Sequence, residues 1–240
     1  MDSTKSASAG GLQTVIDTIL VPATAFERLR TAPTWGWALV ISIVVYAAAS
    51  FVITPAIIHG FQSMWPAMVA SDPRMAAMTP EEQQRGLAIT VAVMQYSSLI
   101  SIVIVPLVVL VTTIVMLIFN AIGRGSATFA SLWAAAANIG VPIMAIGGVV
   151  LAVIVMLRGA ASFNSTLAVT TALPSLAWIV PGAGPKLTAF LGTFTIFQIW
   201  GMVLLYLAMR ITARVGTVPA VLAALIVPVV GALFAMAGAK

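Results

Sequence analysis

Cysteine is absent, histidine occurs once, and the charged residues number only 11 basic and 6 acidic in 240. Without cysteine there are no disulfides, thiolate metal sites or cysteine nucleophiles. One histidine, His59, cannot build a multi-histidine metal centre, and as a lone residue near a helix end it has a structural role. Charged residues make up 7% of the chain, against about 25% in water-soluble domains, so a soluble core is excluded. The net charge of +5 is spread too thinly for a nucleic-acid surface, which needs Lys and Arg gathered on one face. Alternating apolar and polar residues over ~10-residue segments are also missing, and with them the signature of a membrane β-barrel.

What the chain has instead is long apolar runs. Hydrophobic residues are 61% of the total and the mean hydropathy is +1.13. Five runs stand out: Trp37–Ile58, Val91–Phe119, Leu132–Leu157, Leu187–Met209 and Val218–Ala237. Each reaches the roughly 17–25 residues that a helix needs to cross ~30 Å of hydrocarbon. The expected fold is therefore all-α, an integral membrane bundle of five transmembrane helices. Residues 1–35 form a separate N-terminal segment and 36–238 the transmembrane domain.

The N-terminal segment begins with a polar stretch, Met1–Gly11, unlike a cleavable signal. Leu12, Val15, Ile16, Ile19 and Leu20 follow helical spacing, which predicts an amphipathic helix lying in the membrane interface. Pro22 ends it. A second piece, Thr24–Thr31, leads to Pro33, Trp35 and the first span. The segment is an interfacial anchor, or alternatively a docking site for a partner.

Between the first two spans, His59–Gly86 is the largest polar stretch. Within it Thr79-Pro80-Glu81-Glu82 predicts a helix start, with Thr79 as N-cap, Pro80 at the first position and Glu82 completing a capping box. A helix from there to Ile122 exceeds one crossing, so its first turns stand outside the membrane, with a bend at Pro106. Gly123-Arg124-Gly125-Ser126 is a tight antiparallel connection. Residues 162–180 are short for a span and broken by Pro174, so they are expected to be re-entrant or interfacial, with a sixth span as the alternative. Basic residues divide six to five between the two sides in either case, so the positive-inside rule does not choose.

No Asp, Glu, Lys or Arg falls inside a span. This argues against proton-coupled transport, voltage sensing and intramembrane proteolysis, each of which needs charge within the bilayer. Serines lack a base that could activate them. No catalytic, metal or cofactor site is expected; Met64, Met68, Met75 and Met78 offer soft sulfur, yet methionines also simply pack. The candidate positions are the buried polar and packing residues Ser97, Ser101, Asn138, Thr195, Phe197, Gln198 and Trp200. Ser97 and Ser101 share a helix face. Asn138 and Gln198 carry amides that must be satisfied in hydrocarbon, by helix–helix hydrogen bonds or by a polar path or ligand. Phe197 and Trp200 are aromatic anchors.

Two stretches resemble the Yip1-domain family of multi-pass membrane proteins, in its bacterial form. Val21-Pro22, Phe26, Leu29, Ala32-Pro33 and Trp35 are similar to the family's membrane-entry segment. Phe194-Thr195-Ile196-Phe197-Gln198-Ile199-Trp200-Gly201 resembles its aromatic signature, and Thr128-Phe129, Pro142 and Met78-Thr79-Pro80-Glu81 fit the same scheme. The pattern carries an acidic residue where this chain has Thr195, and a later glycine is Ala208 here. The resemblance implies five helices, a cytoplasmic N-terminus, a bacterial cytoplasmic membrane location and no enzymatic activity. The expected function is a non-enzymatic scaffold or adaptor in membrane organisation, with the lipid bilayer, a membrane-protein partner or a second copy as partners. The alternative is a conduit or binding protein for lipid or a small neutral solute.

Overall fold

A computed structural model of the protein describes residues 10–239, apart from the side chains of Ser97, Ser98 and Ser101. The regular structure of the described residues is helical, and their only β-type pairing is one isolated antiparallel bridge, Ser175 to Thr195. Four helical stretches are long and apolar enough to cross a membrane: Gly36–Ser71, Ile102–Ile122, Phe129–Arg158 and Thr217–Gly238. A fifth helix, Ile196–Ile211, is apolar and shorter. All-round hydrophobicity is what a bilayer requires, since lipid-facing positions are as apolar as packed ones.

Phe129–Arg158 is the central stretch. Half of its most apolar window is buried, against 22–28% for the other three. Its first helix, α7 (Phe129–Gly140), is packed with small residues, and Ala134, Ala135 and Ala137 are completely buried. Small side chains let neighbouring backbones come close where no hydrophobic drive separates protein from lipid. Helix α3 (Gly36–Ser71) and helix α6 (Ser97–Ile122) pack on it and on each other. Helices α11 (Ile196–Ile211) and α12 (Thr217–Gly238) close the other side.

Each helix boundary follows local chemistry, and several differ from the sequence expectation. Helix α3 does not stop near Ile58 but continues to Ser71 through Pro55 and Pro66. Each proline removes one backbone donor, and the chain from 59 to 71 holds no stop signal. Asp72 supplies one, because the residue before Pro73 is pushed out of helical geometry; its φ is −109° and its ψ 111°. After a single turn, α4 (Pro73–Ala76), the expected capping box starts α5 (Pro80–Gln95). Thr79 N–H donates to the Glu82 carboxylate at 2.8 Å, and the Glu82 N–H donates to Thr79 Oγ1 at 3.3 Å. Tyr96 separates α5 from α6, while Pro106 lies within α6. At 36 residues α3 spans about 54 Å, well beyond one bilayer. Its last turns and α5 therefore form a helical hairpin standing off the bundle.

In the third span Pro142 is absorbed by a wider turn. Val141–Ile146 is π-helical, and α8 (Gly147–Arg158) continues the same rod. The extra residue per turn accommodates the missing proline N–H without breaking the span.

The expected span Leu187–Met209 is not one helix. It consists of α10 (Pro185–Gly192) and α11, separated by an extended Thr195. Residues 162–180 contain no helix longer than five residues, namely α9 (Thr166–Thr170), so a sixth span is ruled out. The segment folds over one end of the bundle. Gly60 on α3 lies so close to Ser165 that a Cβ there would stand 2.6 Å from the Ser165 carbonyl carbon.

The N-terminal segment forms two helices, α1 (Gly11–Leu20) and α2 (Pro22–Thr31), at the opposite end of the bundle. Phe26 and Leu29 are completely buried and belong to the main core with Leu132, Met209 and Ala213. Thr212 Oγ1 donates to the Phe26 carbonyl at 2.9 Å across 186 residues of chain. Asp17 and Arg28 form an ion pair at 2.8 Å that ties α1 to α2. The face of α1 turned inward carries Thr14, Val15, Asp17 and Thr18, whereas Leu12, Ile16 and Leu20 face outward.

Hydrogen bonding to Arg28, then to Gln13, holds the Asp17 carboxyl below its ordinary 3.8 despite the opposing effect of burial. A lowered carboxyl pKa contributes stability above the ordinary value, and that contribution is lost as pH falls through the lowered one. Acidification below pH 3.8 is therefore expected to loosen α1 and α2 first. Hydrogen exchange should show residues 11–31 losing protection before α7 does. Asp17→Asn should produce the same local loss at neutral pH.

Candidate functional site

Two groups of polar side chains inside the apolar bundle bear on the candidate positions. The first is Asn138 on α7, which is 1% exposed. Its Nδ2 donates to the Ala134 carbonyl at 2.8 Å and to the Thr34 carbonyl at 2.9 Å. Thr34 Oγ1 donates in turn to Thr14 Oγ1 at 3.1 Å. Asn138 thus anchors the linker between α2 and α3. Among the described residues its Oδ1 and the Oγ of buried Ser42 have no hydrogen-bond partner.

The second lies at the break before α11. Gly192 and Thr193 end α10, and Thr195 caps α11 by accepting the Gln198 N–H at 3.2 Å. Backbone groups exposed by the break are satisfied across the chain. Leu176 N–H donates to the Phe194 carbonyl at 3.2 Å, and Ile196 N–H to the Pro174 carbonyl at 3.1 Å. A short length of extended backbone from residues 174–176 therefore supplies partners to the backbone between α10 and α11. Non-helical backbone among apolar helices is tolerated where it is buried in protein.

Three cavities that share lining residues lie at this break. One of about 470 Å³ is lined by Thr166, Thr170, Thr193, Thr195 and Gln198, with α12 residues Ala235 and Gly238 opposite. A second, of about 150 Å³, lies deeper among Val109, Ile139, Met144, Met202 and Val227. It shares Gln198 and Ile143 with the first. A third, of about 350 Å³, lies beside Phe61, Met64 and Met68 and shares Thr166, Leu167, Gly238 and Ala239 with the first. Ile143 sits on the π-helical turn and lines both inner cavities. Its side chain rests where a Cβ on Gly201 would stand, so that glycine makes the space. No hydrogen bond of at most 3.5 Å joins the Gln198 side-chain amide to another described residue.

The candidate residues thus divide. Thr195 and Gln198 share a cavity; Asn138 sits at the other end of the bundle and lines none of the three. Phe197 packs against Gly147, where an added Cβ would lie 3.3 Å from its ring. Trp200 is 36% exposed on the outer surface. The side chains of Ser97 and Ser101 lie outside the described residues. Thr166, Thr170 and Thr193 were missed, although the hydroxyl-rich run from Ser162 to Thr171 was a signal. His59 and Arg158 belong to the fold of the covering segment. His59 Nδ1 lies 3.1 Å from the Phe163 carbonyl, which can only accept, and the Arg158 guanidinium stacks 4.6 Å over the buried Phe163 ring.

A bundle of apolar helices with one interrupted crossing and no charged residue lining its cavities defines a multi-pass membrane protein. The Yip1 domain family model matches residues 16–239, nearly the whole chain, and the protein belongs to that family. No curated protein matches the chain, and no solved structure does.

The contact of Gly60 with Ser165 tests how the covering segment is held. Backbone cannot yield as a side chain can, so Gly60→Ala is expected to destabilise the protein by about 1–3 kcal/mol. Gly231→Ala, where nothing lies within 4 Å, should leave the melting temperature in the same detergent unchanged.

Proposed function

We propose that this protein is a non-enzymatic scaffold or adaptor of membrane organisation, with α1 and α2 as its contact element. The observation that carries this reading is the split apolar face of α1. Val15 and Ile19 pack on the core beside the buried Thr14, Asp17 and Thr18, while Leu12, Ile16 and Leu20 are left facing out. A helix that only filled space would leave no such exposed apolar stripe. The pair is also held rigidly, through Phe26, Thr212 and the Asp17–Arg28 bond. Such a stripe presents an apolar ridge at the membrane interface to the bilayer and to a membrane-protein partner or a second copy.

In this reading α11 is the fifth crossing. Its 16 residues cover about 24 Å, and it runs from the Thr195 break to Thr212, beside the loop that joins α6 to α7. Ser126 N–H donates to the Ala213 carbonyl at 3.0 Å between those loops. Arg124 and Arg214 lie in the short loops at this end, with Arg210 in the last turn of α11 and Arg28 and Arg30 on α2. With basic residues nearly as many at the other end, a cytoplasmic N-terminus in a bacterial cell membrane is drawn from the family resemblance. Residues 1–35 then act as a cytoplasmic contact segment and 36–238 as the transmembrane domain.

The alternative is a conduit or binding protein for lipid or a small neutral solute. Thr195 and Gln198 on one cavity favour binding. A conduit draws no support from Asn138, whose amide is committed to the Thr34 and Ala134 carbonyls.

The scaffold reading is tested by co-purification in mild detergent with mass spectrometry of bound proteins. A stoichiometric membrane-protein partner or second copy is expected with the wild type. Replacing Leu12, Ile16 and Leu20 by serine should lower its recovery about tenfold or more, for ~1.4 kcal/mol or more of lost apolar burial. Recovery of no partner, or equal recovery with both proteins, would refute it.

A further inference from the structure

We infer that the three adjoining cavities at the α10–α11 break form a binding site for a neutral, single-chain amphiphile whose head carries hydroxyl groups. The inference rests on the binding alternative above and goes further by naming the ligand's chemistry, position and direction.

The polarity of the site peaks in its middle. The cavity beside Phe61, Met64 and Met68 also carries Ser165 and Thr166. The middle one is ringed by Thr166, Thr170, Thr193, Thr195 and Gln198. The inner one is apolar except for Thr112 and the shared Gln198. The middle cavity, at about 470 Å³, falls within the range of ligand sites, ~300–1,000 Å³. The inner cavity, at about 150 Å³, is narrow enough to favour one chain over two.

Depth agrees with this sequence of environments. Along α12 the site runs from Gly238, at the covered end of the bundle, to Pro228 and Ala224 within it. From residue 238 to 228 a helix rises about 15 Å, half of a ~30 Å hydrocarbon layer. A ligand head among the threonines thus lies at the interface, and a chain running past Ile143 ends near mid-bundle.

Charge decides the class of head. None of the residues lining the three cavities is charged. A phosphate or carboxylate would meet no cation, and a quaternary amine no anion. The groups offered are hydroxyls and one carboxamide. Thr170 and Thr193 donate their own hydroxyl protons to the Leu167 and Ala189 carbonyls, at 3.0 and 3.2 Å, and so keep acceptor capacity. The Gln198 amide offers both donor and acceptor. A polar group left unpaired in an apolar site costs free energy, and a glycerol-like head, whose hydroxyls both donate and accept, satisfies both of its atoms. Ile143 and Gly201 sit between the two inner cavities and set the width of the passage.

The test uses full-length protein in phosphatidylcholine nanodiscs with photoreactive, clickable probes bearing a diazirine near the chain end. The probes are a monoacylglycerol, a fatty acid at pH 8 and a phosphatidylcholine. Labelling by the monoacylglycerol should concentrate on the Ile139–Met144 and Ala224–Pro228 peptides and exceed that by the charged probes. Thr195→Val combined with Gln198→Leu should reduce it at least about fivefold, as expected for two lost hydrogen bonds near ~1 kcal/mol each. Gly238→Leu narrows the mouth where no atom lies within 4 Å of an added Cβ, so the fold is preserved and labelling should again fall. Equal labelling of the inner peptides by all three probes would overturn the neutral-head inference and leave lipid binding standing. Labelling spread over the outward faces of α3 and α6, unchanged in Gly238→Leu, would overturn both.

Discussion

Backbone amides have no partner in hydrocarbon, and every irregular feature of this protein is arranged around that fact. The interruption between α10 and α11 is the clearest case: residues 174–176 supply its backbone partners. Remove that covering segment and the break would leave unsatisfied carbonyls and N–H groups in apolar surroundings, at a cost of several kcal/mol each. The segment from 159 to 184 is therefore part of the membrane domain and not a loop appended to it. Its attachment at Gly60, His59 and Phe163 fixes the position of the break, and the break in turn opens the cavities.

The two ends of the bundle are built differently. One is compact: the N-terminal helices, the two short arginine-bearing loops and the Asn138 joint interlock with little space. Arg124 and Arg214 hold left-handed backbone conformations there, with φ of 51° and 58°, positions at which glycine would be easier by roughly 1 kcal/mol. The other end is open, with cavities, a covering segment and the protruding α3–α5 hairpin. A rigid end and a roomier end suit a protein that makes contacts at one face and accepts a ligand at the other.

Much of this was legible in the residues, and the failures have a common origin. The Thr79 capping box, the absence of charge in the spans and the shortness of 162–180 depend on local rules that hold in any solvent. The break at Thr195 was not legible, because a threonine in an apolar run looks the same whether it caps a helix or lies within one. What makes it a cap is the extended backbone of Ser175, twenty residues away. Likewise the spacing of Leu12, Val15, Ile16, Ile19 and Leu20 identifies a face but not how it is divided: Val15 and Ile19 pack on the core, and Leu12, Ile16 and Leu20 point out. In water an apolar face turns inward; at a membrane it can turn out, and here Thr14, Asp17 and Thr18 take the inside. The extension of α3 through Pro55 and Pro66 was missed for another reason. Proline removes one hydrogen bond, and a helix already held on one side by neighbours tolerates that loss.

The bond between Thr212 and Phe26 also orders assembly in time. The N-terminal helices emerge first, yet the surfaces that bury Phe26 and Leu29 belong to α7 and α11. At synthesis rates of about 5–20 residues per second, the 186 residues between the two partners take roughly 10–40 s to appear. During that interval α1 and α2 have no protein site and only the membrane surface to rest on. The outward stripe of α1 is then the feature that keeps an unfinished chain from losing its first helices to solution, and the last step of maturation is their recapture by α11.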